Sequence, residues 1–148
     1  MYISPIQVGI QSAHVTSELF TKYTDELHPE HISQLYDWAT NHKTLICLNG
    51  GYGANLHSLV ERFDEKRCTF PNAKFHESQD ALDGAITCVG IVLPERIYET
   101  AAAIRSDRTR NSEIPIYIQI ERNWEYNGYY FTEWELDFMI ELNKFRLA

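Results

Sequence analysis

The stretch TLICLNGGYGAN, residues 44–55, holds residue types that suit phosphate chemistry. An apolar run ends at Asn49, and Gly50, Gly51 and Gly53 follow before the helix-like ANLHSLVERF. A strand, a glycine turn and a helix N-terminus together aim backbone N–H groups and a positive dipole end at an anion. Asn49, Gly50, Gly51 and Gly53 are therefore candidate phosphate contacts. The order is GGxG, which is neither GxGxxG nor a Walker A loop, since no Gly-Lys-Ser/Thr follows. A plain tight turn with glycine at positive φ explains the same residues.

Three further groups could do chemistry. Gln7, Gln11 and His14 recur at helical spacing and form one polar stripe with Glu18, where His14 is either a functional group or a structural hydrogen-bonding residue. In FHESQDALDGAIT, Phe75 could stack on a base and Asp83 could meet a ribose hydroxyl, unless the segment is only a solvated acidic loop. Arg105, Arg108 and Arg110 in IRSDRTRN could clamp phosphates in bidentate fashion, or simply lie in a solvated loop. His28 and His31 have a spacing that a metal could use, but no other residue supports a site, so neither a metal nor a cofactor is expected.

The elements that must hold these groups follow from pattern. Ser4-Pro5 opens a helix to about Tyr23, with Ile6, Ile10, Ala13 and Ser17 as its packing face. A second helix buries Ile32, Leu35, Tyr36 and Trp38. Residues 43–48 read as a strand, residues 55–66 as a helix, 73–75 as a short strand, and 84–94 as a strand covered on both faces. Pro94 starts another helix, residues 106–113 are a linker, and the alternating IPIYIQI reads as a strand. Asn127-Gly128 signals a hairpin, and Thr132 with Glu135 caps the last helix. The order of strands and helices predicts a single compact α/β domain over 1–148. Its core covers about 1–104, with a C-terminal hairpin-helix extension over about 114–148.

Composition narrows the function classes. The chain has 148 residues, 44% hydrophobic, which suits one core. The formal net charge of −8 lowers the expectation of nucleic-acid binding, which depends on Lys and Arg neutralising phosphates. Cys47, Cys68 and Cys88 are odd in number and lack CxxC spacing, which predicts reduced core residues. No membrane-crossing run and no leader pattern are read, so a cytoplasmic location is expected.

Two families are resembled. SPIQVGIQSAH resembles the first-helix motif of type II peptidyl-tRNA hydrolases, in which a Gln and a His three residues apart follow a Lys. HKTLICLNGG and GAITCVGIVLP are similar to two of that family's strands, so the likeness covers about residues 3–95. It implies a small α/β sandwich with a mixed four-stranded sheet; the alternation of strands and helices along the whole chain reads as a mixed sheet of four to five strands with helices on both faces. The family's Gln, His and strand Thr fall on Gln11, His14 and Thr87, and its catalytic Asp falls near Glu77. Its Lys falls on Gln7, which carries no charge. The helix, the HKT…GG stretch and the ending LNKFRLA also resemble the anti-Thoeris sponges of bacterial viruses. That resemblance implies an oligomer that binds cyclic ADP-ribose signals without cleaving them.

The leading expectation is therefore a non-enzymatic binder of a small phosphorylated nucleotide. Its site would hold Asn49, Gly50, Gly51, Gly53, His14, Phe75, Asp83, Arg105 and Arg108, and it would form a homo-oligomer. The alternative is a hydrolase acting on peptidyl-tRNA, with His14 and Glu77 for acid–base work, Thr87 orienting water and Gln11 positioning the ester. A third reading is a scaffold that uses the aromatic hairpin of Trp124, Tyr126, Tyr129 and Tyr130 as an interface.

Overall fold

Ser4 and Pro5 begin the first helix as their chemistry dictates. A computed structural model describes residues 4–24, 27–107 and 114–148. The Ser4 hydroxyl accepts from Gln7 N at 3.3 Å, and Gln7 Oε1 accepts from Ser4 N at 2.9 Å, a complete capping box at the head of α1, Pro5–Lys22. The buried side of α1 is Ser12, Val15 and Leu19. The face expected to pack, Ile6, Ile10, Ala13 and Ser17, points outward instead, with Ile6 77% exposed. Both stripes have helical period, and the one rotated toward Val15 and Leu19 carries the residues that fit the hairpin below.

Contacts divide the chain into two compact units, Met1–Val92 with Leu147–Ala148, and Leu93–Arg146. In the first unit, α2 (Pro29–Asp37) buries Leu35 and runs into a π-helical turn, Trp38–His42. Ile32 and Trp38 are half-buried as expected, but Tyr36 is exposed. The strand expected over 43–48 shrinks to β1, Leu48–Asn49, and Leu45 and Ile46 before it lie exposed, with no other described residue covering them. Next come α3 (Gly53–Phe63), β2 (Asn72–His76), the single turn α4 (Gln79–Leu82) and β3 (Ile86–Ile91). β2 and β3 pair antiparallel, and α1 lies across them. Gly90 permits that approach: a Cβ there would stand 3.1 Å from Val15 Cγ2. Val15, Leu19, Tyr23, Leu35, Ala73 and Val92 form the core of this unit.

In the second unit, α5 (Glu95–Asp107), α6 (Ile116–Asn123) and α7 (Glu133–Leu142) pack together. IPIYIQI is thus α6 and not a strand. Isoleucines at every second position fit a helix as well, since Ile116 and Ile120 are four apart, and Ile120 is fully buried. The Asp107 carboxylate accepts from Ile116 N at 2.7 Å and caps the helix from outside it. The hairpin forms as expected: β4 (Glu125–Tyr126) and β5 (Tyr129–Tyr130) flank Asn127 and Gly128 at φ 51° and 81°. The Thr132–Glu135 capping box is also present. Leu147 and Ala148 belong to the first unit: there the end of a two-residue strand, β6 (Arg146–Leu147), pairs with β1, and Ala148 N donates to Cys47 O at 2.9 Å.

The expected mixed sheet of four to five strands is not formed among the described residues, which hold three two-stranded sheets. The physical reason is that one predicted strand folds as α6 and another keeps only two paired residues.

One titration follows from the α1–α2 junction. Burial, and next the neighbouring His28, hold the His31 imidazole below its ordinary 6.5, against an opposing bond at the Thr69 backbone. A lowered histidine pKa means that the unfolded chain takes up the proton first. The His31 contribution is therefore full above about pH 6.5 and is lost as pH falls through the lower folded value. Urea midpoints measured across this range should decline on acidification, and His31→Gln should flatten that decline.

Candidate ligand site on the first helix and the central hairpin

Strand alternation sorts the hairpin's side chains. Ala73, Phe75 and Glu77 turn toward α1 and are at least half-buried, while Lys74 and His76 are exposed. The register runs evenly from Asn72↔Ile91 to Phe75↔Cys88, then slips to His76↔Ile86. Thr87 is the residue left over, a β-bulge of the kind that re-aims a side chain. Its hydroxyl reaches α1 and donates to Gln11 Oε1 at 2.8 Å. Gln11 Nε2 in turn donates to Glu77 Oε1 at 2.5 Å. The amide is thus read from both ends, and reversing it would set its oxygen against a carboxylate oxygen. One turn along, His14 lies flat on Phe75, with ring centroids 4.3 Å apart and planes 5° apart. The hairpin supplies Phe75, Glu77 and Thr87, and α1 supplies Gln11 and His14.

This constellation offers an exposed imidazole face on an aromatic support, and beside it a fixed polar edge. Glu77 Oε2, one N–H of Gln11 and the Thr87 lone pairs remain for a ligand. No spacing rule announces a bond between residues 76 positions apart. Only the resemblance to the hydrolase family put Gln11, His14, Glu77 and Thr87 in one site.

The glycine loop has mostly internal work. A Cβ at Gly50 would stand 2.7 Å from Leu56 Cδ2, so this glycine makes room for α3. Gly51 has φ 75°, and its N–H donates to Asn49 Oδ1 at 2.9 Å. Asn55 Nδ2 closes the turn on Gly50 O at 3.1 Å. Gly53 faces open space, and the N-cap residue of α3, Tyr52, makes no side-chain cap. Gly51→Ala should cost about 1–2 kcal/mol in denaturant unfolding, because a Cβ is disfavoured in the left-handed region and here would stand 2.9 Å from Asn55 Nδ2; Gly51→Asn should cost less, since Asn visits that region more readily.

The other candidates are placed by their own contacts. Asp83 is exposed and ends α4 in the left-handed conformation. Glu77, not Asp83, is the carboxylate beside Gln11. Arg105 belongs to the second unit, where its Nε donates to Asn143 Oδ1 at 3.2 Å. Arg108 and Arg110 lie outside the described residues. Gln7 is tied into the α1 cap and is uncharged where the resemblance calls for a cation.

The thiols are free. Cys47 Sγ sits 3.2 Å from Ser12 Oγ, so the segment leading into the glycine loop runs beside α1. Burial, and next the proximity of Cys47, push the Cys88 thiol up to about 11, so it stays protonated near neutrality. Among the described residues no three His, Cys, Asp or Glu side chains are grouped to hold a metal ion. No helix among them is long and apolar enough to cross a membrane.

Comparison of the chain with protein-family models, curated proteins and solved structures finds no match.

Proposed function

We propose that this protein binds a small phosphorylated nucleotide and holds it without cleavage. The observation that carries the reading is the flat His14–Phe75 pair set beside the Thr87–Gln11–Glu77 edge. A base stacks on the exposed imidazole face, and a ribose hydroxyl donates to the free oxygen of Glu77. The first-turn amides of α3 near Gly53 suit a phosphate. A cyclic ADP-ribose isomer, held as a sponge holds a defence signal, is the specific ligand proposed. Self-association through the exposed hairpin tyrosines, Tyr129 and Tyr130, belongs to the same reading.

Retention without cleavage has its own support. Gln7 places no cation at the position where the resembled hydrolases carry Lys, and its side chain is already spent on the helix cap. The test is a thermal-shift titration with cyclic ADP-ribose isomers, followed by denaturation and mass analysis of the released ligand. Saturating nucleotide should add about 3–4 kcal/mol of stability at 100 to 1,000 times its dissociation constant, and it should be recovered intact. No shift at millimolar nucleotide overturns the proposal.

A second reading is favoured by one observation: Gln11, Glu77 and Thr87 touch each other. In a peptidyl-tRNA hydrolase, Glu77 would take the proton of a water held by Thr87 while Gln11 positions the ester. Cleavage of peptidyl-tRNA by the protein, strengthened in Gln7→Lys, would establish this reading. Absence of cleavage in both forms would remove it.

A further inference from the structure

A half-open hollow of about 310 Å³ lies between α1, α3 and the exposed side of β2. Its volume is at the small end of the range for ligand pockets, about 300–1,000 Å³. The floor is apolar, with Val60 and Phe63 from α3 and Val89 from β3. The rim is charged and balanced: Lys22 and Lys74 carry ammonium groups, and Glu18 and Asp64 carry carboxylates. None of these four pairs with another within salt-bridge distance among the described residues.

Lys22 is held in place. Its Nζ donates to Asn72 O at 2.9 Å and Asn72 Oδ1 at 3.2 Å. Asn72 is itself buried and anchored, since its amide N–H groups reach Phe70 O and Phe63 O. An ammonium has three N–H groups, so one remains for a ligand. His76 completes the rim. Its Nδ1 lies 2.9 Å from Gly84 O, which can only accept, so Nδ1 donates there and Nε2 is left for a ligand.

The balance of charge decides the ligand class. A simple anion would meet Glu18 and Asp64, and a simple cation would meet Lys22 and Lys74. A molecule bearing both charges satisfies all four, and an apolar side chain on it covers the floor. We infer that this hollow is a binding site for a small zwitterion with an apolar side chain, of the class of a free amino acid or dipeptide. The carboxylate of the ligand faces the lysines, its ammonium faces Glu18 and Asp64, and its side chain packs on Val60 and Phe63. The inference is independent of the nucleotide reading, because strand alternation sets Lys74 and His76 on the face opposite Phe75 and Glu77.

Calorimetric titration of the full chain tests it with three probes: leucyl-leucine, the same dipeptide acetylated at its amine, and the same dipeptide amidated at its carboxylate. The unmodified dipeptide should bind saturably, and each blocked form should lose about tenfold or more in affinity. Lys74→Gln should weaken the dipeptide without further weakening the amidated form, and Glu18→Gln should do the converse with the acetylated form. Both positions are exposed, so the variants keep the fold. Equal binding of all three probes, or no saturable binding of the dipeptide at millimolar concentration, overturns the inference.

Discussion

Glu135→Ala is expected to destabilise the second unit by about 3–5 kcal/mol, the usual cost of removing one partner of a buried ion pair. Glu135 is 5% exposed. Its Oε1 accepts from Arg96 Nη2 at 2.6 Å, and its Oε2 accepts both Arg96 Nη1 at 3.1 Å and Thr132 N at 3.0 Å. One carboxylate therefore neutralises a half-buried guanidinium and closes the cap of α7. The variant loses both and leaves Arg96 facing the Phe131 ring 5.5 Å away with its charge unpaired. Replacing both partners with leucine should cost less than the single change, since no buried charge is stranded. Denaturant unfolding followed by tryptophan fluorescence reads the difference, because Trp134 stacks on Phe138 beside this pair in sequence.

His14→Ala is expected to weaken nucleotide binding by roughly 5- to 150-fold, the loss of one base–aromatic stack of about 1–3 kcal/mol. The imidazole is exposed and makes its ring contact with Phe75, so its removal leaves the core intact. The unfolding midpoint should hardly move while the titrated affinity falls. A midpoint that drops with unchanged affinity would assign His14 to packing and would take the base platform away from the site. Gln11→Leu is a companion with the opposite balance. It strands the Glu77 carboxylate and the Thr87 hydroxyl together, and so it lowers both quantities.

How much of this was legible in the sequence depends on how local the determining interactions are. The caps at Ser4 and Thr132, the turn at Asn127-Gly128 and the apolar run of β3 were readable because each acts within a few residues. The side of α1 that packs was not, because Ile6 and Ile10 make as good a stripe as Val15 and Leu19. The close approach at Gly90, which meets Val15 and Leu19, is a tertiary fact that separates them. IPIYIQI misled because an isoleucine at every second position is also an isoleucine at every fourth, and a carboxylate nine residues upstream decides for helix. Within the site, His14 and Phe75 were each legible as candidates, but their stacking is a tertiary fact. The glycine loop drew attention by composition, yet Leu56 and Asn49 account for two of its three glycines.

The extra residue in the central hairpin is dispensable to the ladder that carries it. With Thr87 removed, Ile86 and Cys88 become neighbours opposite His76 and Phe75, and the ladder runs without interruption. A single-codon deletion at this point is therefore compatible with the hairpin, and it erases the hydroxyl that orients Gln11.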